Sequence, residues 1–303
     1  MVVDGRTVKW AEYIDEATLG VTPTNPDMNA FPGEFIDAEL MSGPETDTYN
    51  ILKGASDTDP MSSGKTVVTG EIHGIKVTIK PNSLAWLPYI LLGATTTTYA
   101  TGKVHHPISI GLKADDEYCV YSGCVPVSAE WNFADPKKAC TLVITYMCVD
   151  KTDWSSTDYI GTGSHGTPSG SDPYTLSDLT SFQYDGTDPA TANIIIESFK
   201  MLVTNDGMDT VTDLSATAPS KIGDFSYEDR SINVDISVTA MKMGAHTDLI
   251  TGADHTISFT CDSKAFTFSQ LKWTNKPSVG LAAAKKVGMT YTSAGKHTRL
   301  AIA

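Results

Sequence analysis

The sequence has no pair of cysteines at CxxC spacing, no HExxH, and no apolar run long enough to span a bilayer. Each absence removes a class of function. Five cysteines, Cys119, Cys124, Cys140, Cys148 and Cys261, form an odd set without zinc-knuckle spacing. They read as small buried side chains in a reducing compartment. The histidines lack ligand spacing, and His105 and His106 would point to opposite sides of a strand. The most apolar segment, "LAWLPYILLGA" (84–94), is too short for a membrane span and is interrupted by Pro88. The opening "MVVDGRTVKWAEYIDE" lacks the apolar stretch of a secretory leader, so a soluble protein made in a cytoplasm, without membrane contact, is expected.

Cations are scarce as well. The net charge of −14 has the wrong sign for gripping a phosphate backbone, although it suits a surface that nucleic acid passes without sticking. The imbalance is uneven. From Ser263 onward there is no Asp or Glu, and Lys264, Lys272, Lys276, Lys285, Lys286, Lys296 and Arg299 give +7, so the rest of the chain sums to −21. Residues 1–62 carry twelve acids against Arg6, Lys9 and Lys53. An acidic beginning and a basic end favour head-to-tail contact between copies; the alternative is that both ends meet within one chain.

Two segments look like chemistry and are rejected on physical grounds. "DPMSSGKT" (59–66) ends like a phosphate-binding loop, but Asp59 stands where the first Gly is needed, and a strand rather than a helix follows. "SHGTP" (164–168) resembles the His motif of subtilisin-like proteases, but the chain has no matching nucleophile segment. His165 also falls in a Gly/Ser/Asp-rich stretch (155–173) expected to be too flexible to hold a base. Carboxylates are abundant, yet the sequence pairs none across a cleft. No catalytic residue, cofactor or metal is expected.

What the chain does have is strands. "GEFIDAEL" (33–40), "KTVVTGEIHGIKVTIK" (65–80), "HPISIGLK" (106–113), "YCVYSGCVPVSAEWNF" (118–133) and "ACTLVITYMCV" (139–149) are β-branched and aromatic, with turn residues between them. Helical periodicity is almost confined to 83–92, where Pro88 is expected to kink or shorten the helix. After 155–173, a linker or long exposed loop, strands resume at 193–204, 230–242, 255–261, 265–274 and 286–294.

The halves resemble one another in order. "VTIK" (77–80) matches "VDIS" (234–237), "SGCVPVSAEW" (122–131) matches "SKAFTFSQLKW" (263–273), and Lys137-Lys138 matches Lys285-Lys286. A duplicated β domain is expected, against the alternative of one domain with similar strands. The expected organisation is an extended arm (1–32), a first β domain (33–150), a linker or long loop (151–175) and a second β domain (176–303). The Gly and Pro of "YIDEATLGVTPTNP" (13–26) predict a stiff polar arm built to grip another copy.

"EATLGVTP" (16–23) followed by "GEFIDAEL" resembles the N-terminus of tail tube proteins from long-tailed bacterial and archaeal viruses. The likeness continues in order through the 42–64 loop, "LAWLPYILLGA", "YSGCVPVSAEWNF", "SFKMLVTNDGM" (198–208) and "PSKIGDFSYEDRSINVDISVTA" (219–240). The long 150–175 segment and the weak second helix depart from it.

The resemblance implies an antiparallel β-sandwich or barrel-like fold with one or two short helices, in rings of three or six chains stacked into a conduit for viral DNA. It implies a virion location and partners in a tape-measure protein, a tail terminator and the baseplate. Contacts between subunits and rings would fall at 5–32, 42–64 and about 284–303. The residues so implied are Leu19, Val21 and Pro23; Tyr49, Ile51 and Leu52; and Lys285, Lys286 and Arg299. For Tyr49, Ile51 and Leu52, the alternative is a loop folded back over its own core. Two rivals to the tube role remain, a capsid-decoration or adhesion module and a hydrolase using scattered carboxylates.

Overall fold

A computed structural model describes residues 8–50, 64–90, 106–192, 194–206, 209–213, 221–226, 229–240, 254–273, 286–293 and 299–303. Its first half contains β1 (Trp10–Asp15), β2 (Asn29–Ala30), β3 (Gly33–Asn50), β4 (Gly64–Pro81), the helix α1 (Leu87–Ile90), β5 (Ile108–Ala114), β6 (Glu117–Phe133), β7 (Thr141–Cys148) and β8 (Asp150–Lys151). Then follow β9 (Thr180–Tyr184), β10 (Ile194–Asp206), β11 (Asp209–Asp213), β12 (Lys221–Ser226) and β13 (Asp229–Ala240). Last come β14 (His255–Cys261), β15 (Lys264–Trp273), β16 (Lys286–Ser293) and β17 (Arg299–Ile302). The protein is mainly β, with antiparallel sheets and little helix, in a sandwich or barrel-like arrangement.

The expected helix over 83–92 is only Leu87–Ile90 among the described residues, with Leu87 and Ile90 buried. Pro88 fits the first turn, where a missing N–H costs nothing; residues 91 and 92 lie outside the described residues. Of the expected polar loop at 42–64, the part over 42–50 is corrected, and 51–63 lie outside the described residues. Residues 42–50 continue β3, which stays paired with β4 as far as Asn50↔Gly64.

β6 organises the sheet. Its first half pairs with β5 and β8, its second half with β7 on one edge and β10 on the other. The strand turns at Gly123, whose φ of +62° favours glycine. A Cβ there would stand 2.5 Å from the Val149 side chain, so glycine is also required by space.

The strand order repeats. In the first half neighbours run β1-β5-β6-β7-β4-β3, and in the second β9-β14-β15-β16-β13-β10. The irregularities repeat too. In β5–β6 the register slips between Ile108↔Cys124 and Ile110↔Tyr121; in β14–β15 it slips between His255↔Leu271 and Ile257↔Phe268. In β3–β4 a bulge lies between Phe35 and Asp37; in β10–β13 it lies between Ile196 and Ser198. Tyr13 faces Ile110 as Tyr184 faces Ile257, and β8 lies along β6 as β17 lies along β15. Two units of the same topology are therefore joined where β10 (Phe199–Thr204) pairs with β6 (Ser128–Phe133).

The junction is also the centre of the core. Trp131, fully buried, meets Trp86, Phe133, Phe199, Phe259 and Phe266 at centroid distances of 4.9–6.5 Å. Three of these rings come from the second unit. Lys200 pairs with Glu130 across the junction at 3.1 Å, and Asn205 Nδ2 donates to the Pro126 carbonyl at 2.6 Å.

Candidate functional site

The sequence pointed to the N-terminal arm first, as an extended segment reaching another copy. Residues 8–32 are instead docked on their own chain, and two buried carboxylates explain why. Glu12, 0% exposed on β1, accepts hydrogen bonds from Tyr159 OH (2.6 Å), His165 Nδ1 (2.8 Å) and the Gly166 N–H (2.9 Å). Glu16 accepts from the Ser109 hydroxyl (2.5 Å) and from the N–H groups of Gly20 (2.7 Å) and Gly123 (2.8 Å). A buried carboxylate persists only when its oxygens are satisfied in this way. β1 then pairs along β5 from Trp10↔Lys113 to Asp15↔Ile108.

The stretch 155–173 forms the other side of this clasp. His165 is not adrift, as its composition suggested: Nδ1 faces Glu12 and Nε2 faces Asp158 Oδ2 at 3.0 Å. The glycines of the stretch serve close approach rather than flexibility. A Cβ at Gly163 would meet the Pro26 carbonyl oxygen at 2.1 Å, and one at Gly166 would meet the Ala30 nitrogen at 2.1 Å.

Burial disfavours the charged imidazole of His165, but the Glu12 and Asp158 carboxylates outweigh it and the pKa rises above 6.5. A raised folded-state pKa gives stability that is full below pH 6.5 and is lost as pH climbs through the folded value. Proteolysis within residues 8–30 is therefore expected to quicken as pH is raised from about 6 to about 9, and His165→Gln to flatten that dependence. Protease-digestion rates across that range check it.

This arrangement is suited to holding, not to reacting. Every oxygen of Glu12 and Glu16 already accepts a bond. Tyr159 is kept protonated by burial and by Glu12, so it remains a donor. Burial likewise pushes the thiols of Cys140 and Cys261 up to about 12, far from a nucleophilic thiolate. Among the described residues no group of three His, Cys, Asp or Glu is arranged to hold a metal ion, and no helix is long and apolar enough to cross a membrane. A cavity lined by Tyr13, Phe31, Trp86 and Tyr89 takes about one water.

The residues implied in assembly are scattered by the fold. Leu19, partly buried, packs within the chain against Val125 and Phe225. Val21 is 57% exposed and Pro23 half-buried. Tyr49 lies on β3 opposite Lys65. Lys286 opens β16 opposite Thr239, and Arg299 opens β17 opposite Ser269, so the C-terminal segment is paired within its own sheet. Ile51, Leu52 and Lys285 lie outside the described residues.

What the sequence did not single out is the margin of β3. Among the described strands β3 pairs only with β4, and Ile36, Leu40 and Met41 stand on it at 42%, 36% and 38% exposure. Its sequence signal was the apolar alternation of "GEFIDAEL", which marks a strand without saying whether one edge or two are paired. No protein-family model and no curated protein sequence matches the chain.

Proposed function

We propose that the protein is a virion structural subunit, a tail tube protein whose copies close into rings that stack into a conduit for viral DNA. One observation carries the reading. A single chain already joins two units of one topology edge to edge, through β10 on β6, while the equivalent margin of the first unit, on β3, is unpaired among the described strands. A chain so built is a ring segment with an unfinished end, and closing a sheet around an axis removes such edges.

Other features support the same role. Three chains of two units would supply six units per ring. The β11–β12 hairpin of the second unit sets Phe225 against Leu19, Val125, Met147 and Val149 of the first. In the proposed assembly the longer β3–β4 hairpin, paired as far as Asn50↔Gly64, makes the corresponding contact between copies. The −14 charge lets DNA pass without adhesion. The role needs no catalytic group or cofactor, and its partners are further copies, a tape-measure protein, a terminator and the baseplate.

The docked arm and the paired C-terminus favour one rival, a compact β module on the outside of a virion. Negative-stain microscopy and native mass measurement of the purified chain separate the two. Stacked rings with three chains in the smallest ring are expected; a compact oligomer that never stacks would support the rival.

A further inference from the structure

We infer that Cys124 and Cys148 are an oxidation site, a pair of buried thiols that closes into a disulfide between β6 and β7. The inference rests on these two residues and on the internal repeat, and it stands whether or not the chain builds a tube.

The β6–β7 ladder includes Val125↔Met147, and one step further along it Cys124 of β6 meets Cys148, the last residue of β7. Residues facing each other across an antiparallel pair have Cα atoms about 4.5–5.5 Å apart, within the span of a disulfide. The two sulfurs lie 2.7 Å apart, and a bond needs about 2.05 Å. Both residues are fully buried. Other thiols of the chain have different neighbours: Cys119 Sγ donates to the Thr152 carbonyl at 3.1 Å, and Cys140 Sγ receives the Trp131 indole N–H.

The repeat shows that the topology does not require this pair. The shared slip sets Cys124 on Leu271, and Leu271 faces Ser293 across β15 and β16. The second unit thus has a leucine and a serine at the same corner, which cannot be linked. In the first unit the corner also carries the arm. β6 turns there at Gly123, whose N–H donates to Glu16, and the Val149 side chain lies against both Gly123 and Gly20. A bond between Cys124 and Cys148 would fasten this turn and the seat of Glu16 together.

The oxidant is a peroxide. One cysteine, as the thiolate, attacks a peroxide oxygen; the O–O bond breaks, leaving a sulfenic acid and a water. The second thiolate attacks that sulfur, the S–S bond forms, the S–O bond breaks and a second water leaves. The two cysteines lose two protons and two electrons, and the peroxide takes up both. Burial and the neighbouring Cys148 hold the Cys124 thiol protonated, so the reaction waits on brief opening at the end of β7.

The test treats the folded full chain with hydrogen peroxide, in buffer and in urea below the unfolding transition, then alkylates it under denaturing conditions. Of the five cysteines, three are expected to be alkylated, and peptide mapping without reductant to recover Cys124 joined to Cys148. The melting midpoint of the oxidised chain is expected to rise by about 5 °C, because the bond restricts the unfolded chain, and to fall back on reduction. Cys148→Ala should lose both the linked peptide and the rise, whereas Cys119→Ala should keep both. Five alkylated cysteines under both conditions, a bond joining any other pair, or an oxidised chain with an unchanged midpoint would each overturn the inference.

Discussion

Glu12→Ala is expected to release the N-terminal arm and destabilise the protein by about 3–5 kcal/mol, the range for removing one partner of a buried charged network. The loss comes from what is left behind. Tyr159 OH and the Gly166 N–H would stay buried without their acceptor, and His165 would keep only Asp158. Tyr159→Phe removes one donor and leaves the carboxylate two others, so about 1–2 kcal/mol is expected. Chemical denaturation gives the energies, and protease cleavage within residues 8–30 reports the arm directly. If Glu12→Ala leaves both unchanged, the carboxylate does not hold the arm.

Trp131→Ala is expected to cost about 3–5 kcal/mol, as for other large aromatic side chains removed from a packed core. The position matters beyond its volume. Trp131 lies on β6, opposite Leu142 of β7 on one side and Met201 of β10 on the other. Its ring touches Phe199, Phe259 and Phe266 of the second unit. The indole N–H also points at Cys140 Sγ, 3.4 Å away. The wild-type chain is expected to melt in one transition, because both units share this cluster, and the variant in a broader or split one. Calorimetry on the full chain checks both. Equal stability in the variant would mean that the units are held together elsewhere.

The strands that form the sheet were legible wherever burial alternates on an apolar pattern, as in β4, where Ile75, Val77 and Ile79 are buried, and in β7. β1 was not, because the carboxylates of Glu12 and Glu16 read as solvent-facing in sequence and are satisfied on burial by donors from residues 20, 109, 123, 159, 165 and 166. His165 was misread for the same reason: its partner lies 153 positions away. Gly163 and Gly166 carry a flexible composition into a place where the backbone needs contact. The repeat was legible in order but not in register. Sequence matching set Ser122 on Ser263, whereas the shared slip sets Ser122 on Ser269, because bulges and insertions shift spacing without disturbing strand order. The open margin of β3 was not legible, since an edge is a property of neighbours.

The branching of β6 also sets a timetable for synthesis. Its second half takes β7 from the same unit, but the opposite edge waits for Phe199–Thr204, so the nascent first unit stands with Trp131 uncovered on the ribosome until β10 emerges. Pairings this far apart in sequence form slowly and leave sticky edges bare in the meantime. A host short of chaperone capacity should therefore yield aggregates rich in truncated or stalled chains ending before β10, while full-length chains should stay in solution.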